Sequence, residues 1–120
     1  MKENILKEKS YAFALRIVKV YRHLYETKHE GVLSIQLLRC GTSIGANVEE
    51  AIGAQSRKDF VSKLSIAYKE ARETNYWLRL LLDSNYLNQK EYDSLIFDNE
   101  ELLRIIGAIQ RTIKKSFRNS

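Results

Sequence analysis

A chain of 120 residues amounts to one domain and can bury roughly two-thirds of its unfolded surface, so it needs no disulfide or metal staple to fold. Hydrophobic residues at 44% and charged residues at 29% exclude a disordered chain, and no run approaches the ~20 apolar residues of a membrane span. The net charge of +5 makes polyanions natural partners, and the absence of proline makes long helices the default.

The one cysteine, Cys40, cannot form an internal disulfide. The opening MKENILKEKS has no apolar stretch of the kind a secretion signal carries. Both features predict a cytoplasmic protein. Cys40 sits among small residues with no histidine near it in sequence, so it reads as a small core or interface residue rather than a nucleophile.

The first predicted helix covers about 4–29, its start lying at Asn4 or as late as Ser10. Phe13, Ile17, Val20 and Leu24 step by four, three and four along one face, which Tyr21 and Tyr25 widen. Gly31 is the expected stop. The second helix covers about 34–54, with Leu37, Gly41, Ile44, Val48 and Ala51 on one seam. A glycine inside a helix costs about 1 kcal/mol against alanine. Gly41 and Gly45 must therefore be offset by close approach of a neighbouring helix, and the short connection ahead suggests the third helix, folded back as a hairpin. A phosphate-cradling loop is a poor alternative, because the GxxxxGK[ST] pattern is missing.

Ser56 and Asp59 form an imperfect capping box ahead of a third helix over 57–83. Phe60, Leu64, Ala67, Ala71, Thr74, Leu78 and Leu81 make its heptad seam. Asn88 and Glu91 cap a fourth helix over 89–117, whose seam is Tyr92, Leu95, Asn99, Leu102, Ile106, Ile109 and Ile113. Asn99 occupies an apolar position, where a buried amide fixes register more often than it performs chemistry. Four amphipathic helices with short links predict a single all-α domain over 1–120, an antiparallel up-down-up-down four-helix bundle.

Three constellations bear on function. A di-metal carboxylate bundle needs two Glu-x-x-His motifs, and only Glu26 to His29 matches; two histidines and one cysteine also leave no common zinc site, and although spacing alone does not rule out a Ser-His-Asp arrangement, nothing positively suggests one, so the expectation is no metal, cofactor or catalytic residue. Polar groups stack along the second helix (Gln36, Arg39 or Cys40, Ser43, Asn47, Glu50) and precede Trp77 on the third (Glu70, Glu73). They read as a solvated face, a hydrogen-bond network or a subunit interface, and carboxylates alone do not mean catalysis. Finally, no acid follows Glu101, while Arg111, Lys114, Lys115 and Arg118 do, and Lys58 and Lys63 open the third helix. Basic clusters of this kind suit phosphate contact, although bases at a helix end also complement the macrodipole.

The run SIGANVEEA (43–51) and the run QSRKDFVSKLSIAYKEARETNYWLRLL (55–81) resemble a bacterial family of four-helix bundle proteins. These are encoded in intervening sequences of the 23S ribosomal RNA gene and are also called ribosomal-protein-like. Asn47, Glu50, Asp59, Phe60, Leu64, Glu70, Glu73, Trp77 and Leu78 fall at the family's characteristic places, and Tyr68 is a bulkier departure. The resemblance implies a homopentamer with no catalytic activity or cofactor. A remoter group, the accessory proteins of diversity-generating retroelements, shares the pentameric bundle and binds nucleic acid and a reverse transcriptase. The expectation is a non-catalytic homo-oligomer that contacts RNA or DNA through Arg111, Lys114, Lys115, Arg118, Lys58 and Lys63. In it Gly41, Gly45, Asn47, Glu50, Glu70, Glu73 and Trp77 order the fold or its interface. A structural or protein-interaction scaffold without nucleic-acid affinity is the alternative.

Overall fold

Apolar side chains recur at three- and four-residue steps on four segments, and each segment is a helix. The computed structural model describes residues 2–118. Helix α1 spans Lys2–Glu26, α2 Leu33–Ile52, α3 Arg57–Asp83 and α4 Gln89–Arg118. Each helix packs on its neighbour in the chain, and α4 closes back against α1. The result is an up-down-up-down bundle, a rod of 53 × 23 × 21 Å.

The seams become one core. Phe13, Ile17, Leu24, Leu37, Ile44, Leu64, Leu78, Leu95, Leu102 and Ile106 are fully buried. Each such side chain contributes on the order of 1.5–3 kcal/mol through lost water contact. Val20, Phe60, Tyr92 and Ile113 are half-buried at the edges of their seams. The core also reaches further up α1 than its sequence pattern indicates, through Leu6 and the fully buried Ser10. Tyr25 does not widen the apolar face of α1. It is exposed, stacks on Tyr21 with ring centroids 5.8 Å apart, and lies against Gly31.

Helix ends follow local chemistry. Ser56 Oγ accepts from the Asp59 N–H at 3.0 Å. Asn88 and Glu91 make the full reciprocal box: the Glu91 N–H donates to Asn88 Oδ1 at 2.8 Å, and the Asn88 N–H donates to Glu91 Oε1 at 2.9 Å. Asn85, at φ 69°, terminates α3, with the Asn85 N–H returning to Leu82 O and the Tyr86 N–H to Leu81 O.

Two further sequence expectations need correction. Helix α1 ends at Glu26 rather than His29, and the left-handed residue after it is His29, at φ 56°, not Gly31. The cause lies one residue on, where the buried Glu30 carboxylate accepts the N–H groups of Val32, Leu33 and Ser34 at 2.8–3.0 Å and so starts α2. The second correction concerns the small-residue stripe of α2, which faces α1 rather than α3. A Cβ on Gly41 would lie 2.9 Å from Ile17 Cγ1, and one on Gly45 would lie 3.3 Å from the Ser10 carbonyl oxygen. Close approach is real there, but it joins the first hairpin.

Candidate nucleic-acid interface

An up-down-up-down path brings the start of α1, the end of α2, the start of α3 and the end of α4 to one end of the rod. Charge is sorted along that axis. The half containing residues 2–13, 44–69 and 105–118 carries eleven bases against five acids; the half containing 14–43 and 70–104 carries nine against ten. Of the five acids in the basic half, Glu49 and Glu50 are engaged by Lys7 at 3.9 Å and Lys63 at 2.9 Å. Arg111, Lys114, Lys115 and Arg118 are all exposed on α4, and Lys58 is exposed on α3. The structure therefore places five of the six predicted phosphate-contacting residues on open surface at one end. Lys63 is half-buried, and the hydrogen bond and charge of Glu50 hold its ammonium above the usual lysine range.

The start of α3 and the end of α4 meet directly. The Arg57 guanidinium carbon stands 4.6 Å from the centroid of the Phe117 ring. Just inside that contact lies an open slot of about 230 Å³, lined by Val61, Leu64, Ser65, Gln110, Ile113 and Phe117, with Lys114 at its edge. Neither Arg57 nor the slot stands out in sequence. The available signal was topological: a hairpin that returns the chain must set the last turns of α4 beside the first turns of α3.

Within one chain, the groups expected to order the fold or its interface have different neighbours. Gly41 and Gly45 pack on α1. Asn47 Nδ2 donates to the Ser43 carbonyl of its own helix at 2.9 Å, and Glu50 pairs with Lys63. Glu70, Glu73 and Trp77 do gather on α3, with the Trp77 indole N–H donating to Glu73 Oε2 at 2.9 Å. Burial first, and then the Glu73 charge, push the Glu70 carboxyl above its ordinary range, with Arg39 acting the other way. Cys40 of α2 is buried and feels the charges of both glutamates. Burial pushes its thiol up to about 11, and the charges of Glu73 and Glu70 act in the same direction. It therefore stays a protonated thiol at neutral pH and is a poor nucleophile. Glu26 and His29 are both exposed. Among the described residues, no three His, Cys, Asp or Glu side chains cluster closely enough to hold a metal ion, and no helix is long and apolar enough to cross a membrane.

Residues 2–108 match the family described as 23S rRNA-intervening sequence protein. This chain belongs to that family. A crystal structure of a protein of unknown function from the S23 ribosomal protein family of Bacteroides thetaiotaomicron superposes with a TM-score of 0.92 at 49% identity, covering 92% of this chain and 99% of that one. No match is found among curated proteins. The family match ends before Arg111, so the bases that close α4 lie beyond the matched stretch.

Proposed function

We propose that this intervening-sequence protein is a non-catalytic, self-assembling helical bundle that holds RNA, or another nucleic acid, against its basic end. The observation that carries the reading is the charge sorting, an end rich in exposed bases on a rod whose other half is balanced. Neutralising phosphates there releases counterions, which drives sequence-independent binding. A family named for an intervening sequence of ribosomal RNA is consistent with an RNA partner. The non-catalytic part rests on Cys40 being held as a thiol and on Glu73 being committed to Trp77. Self-assembly is supported by Ile5, Leu15 and Phe97, which are 47%, 49% and 66% exposed and offer apolar area for another copy to cover. The family resemblance implies a pentamer, and a ring would repeat a weak phosphate-binding patch and gain avidity. A cytoplasmic setting goes with this reading.

The test is RNA binding at low and moderate salt, together with the native mass. Affinity should fall steeply as salt rises, and neutralising Arg111, Lys114, Lys115 and Arg118 together should weaken it. Unchanged binding by that variant removes the end of α4 from the reading. The same exposed apolar side chains favour a second reading, a protein-interaction scaffold without nucleic-acid affinity. No binding of RNA or DNA at low salt would leave the scaffold as the surviving reading.

A further inference from the structure

The slot between α3 and α4 has a composition that phosphate contact alone does not call for. Its walls are apolar, Val61, Leu64 and Ile113, with the aromatic ring of Phe117 at its outer end. Ser65 and Gln110 are half-buried on opposite walls, which gives each wall one hydrogen-bonding group. Its volume of about 230 Å³ lies below the roughly 300–1,000 Å³ of sites for drug-sized ligands, room for a single ring system. Bases surround it: Lys114 lines it, Arg57 stands over Phe117, and Lys58, Lys115 and Arg118 are exposed on the adjoining turns.

We propose that this slot receives one unstacked base of a single-stranded nucleic acid whose phosphates rest on the surrounding lysines and arginines. The proposal builds on the nucleic-acid reading of the same end and adds the strandedness of the partner. Charge complementarity selects the occupant. A purely apolar peptide would leave the cationic rim unanswered, and a duplex would offer phosphates but keep its bases stacked and out of reach. A single strand supplies both parts, because every base has a flat apolar face with polar edges and every linkage carries a negative charge. The base lies between Val61 and Ile113 and against Phe117, where the amide of Gln110 and the hydroxyl of Ser65 can meet its edge. Two reading groups allow a modest preference among bases and no more.

The experiment compares three probes on the full chain at low salt: a short single-stranded RNA, the same strand annealed to its complement, and the same sugar-phosphate backbone without bases. The expected order is single strand tightest, with duplex and base-free backbone both weaker. Phe117→Ala should cost the single strand roughly five- to hundredfold, the range of one base–aromatic stack, and leave the base-free backbone unchanged. Ser65→Phe, which fills the slot from the other wall, should abolish the same preference, with circular dichroism checking that both variants stay helical. Equal binding of the base-free backbone, tighter binding of the duplex, or a preference that survives both substitutions overturns the slot while leaving the electrostatic surface standing. No binding of any probe overturns the nucleic-acid reading itself.

Discussion

At the scale of single residues, Glu30 does more for the fold than its place in a loop suggests. Its carboxylate takes three of the four N–H groups that the start of a helix leaves without partners. Burial works to raise its pKa, but the N–H groups of Leu33, Ser34 and Val32 outweigh it, so the carboxyl is held below its usual range. A folded-state pKa below the unfolded value, about 4.3 for glutamate, means stability that is fully present above that pH and lost as pH falls through the folded value. Glu30→Gln should cost about 1.5–3 kcal/mol at neutral pH, the worth of hydrogen bonds to a charged group, and should flatten the acid limb. Urea midpoints of the two proteins across the acid range check both. Gly41 tests the opposite kind of residue. Alanine there gains about 1 kcal/mol of helix propensity, but its methyl would meet Ile17 in a filled core, and overpacking costs about 1–3 kcal/mol. Gly41→Ala should therefore lower the melting temperature, and Gly45→Leu should lower it further because its side chain meets the Ser10 backbone.

Among the helices, Asn99 shows how one polar side chain can tie two elements together. It is fully buried on α4, where its Nδ2 donates to the Ala71 carbonyl at 2.8 Å and to Asn75 Oδ1 at 2.6 Å on α3. Asn75 passes the chain on to Glu100 at 3.0 Å, near the surface. Asn99 Oδ1 has no partner among the described residues, a desolvation cost of about 1–3 kcal/mol. Asn99→Leu should raise the melting temperature, while loosening the choice of α3–α4 register, seen as broader side-chain NMR signals. On the other flank, Arg16 of α1 donates to Asp98 Oδ2 at 2.6 Å and to Ser94 Oγ at 2.9 Å, bridging to α4. Arg16→Ala should cost about 1 kcal/mol or less, since this pair is partly exposed, and should speed hydrogen exchange along α1. The heptads of α3 and α4 were legible in sequence because their apolar residues keep a strict period, and the Asn88–Glu91 cap was legible because it is local. The end of α1 was not, because a glycine at 31 looks like a stop while a histidine at 29 takes the left-handed turn. Nor could periodicity say which neighbour Gly41 and Gly45 admit, since both sides of α2 meet a helix.

For the whole molecule, the bases of the candidate site were visible in sequence as a run without acids, but their neighbourhood was not. Arg57 and Phe117 stand at opposite ends of the second half of the chain and meet only because α3 and α4 run antiparallel. The slot between them is a property of that crossing and leaves no mark on either stretch alone. Neutralising the four bases of α4 should reduce the slope of log affinity against log salt by roughly 0.7 for each single-strand phosphate contact removed, which a titration at several salt concentrations measures. The same return path has a practical corollary. The first and last described turns lie together beside the basic patch, whereas the loops at 27–32 and 84–88 sit at the far end of a 53 Å rod. A purification handle or fluorophore grafted onto either terminus would crowd that patch. A label carried on one of the distant loops would report on captured strands without standing in their way.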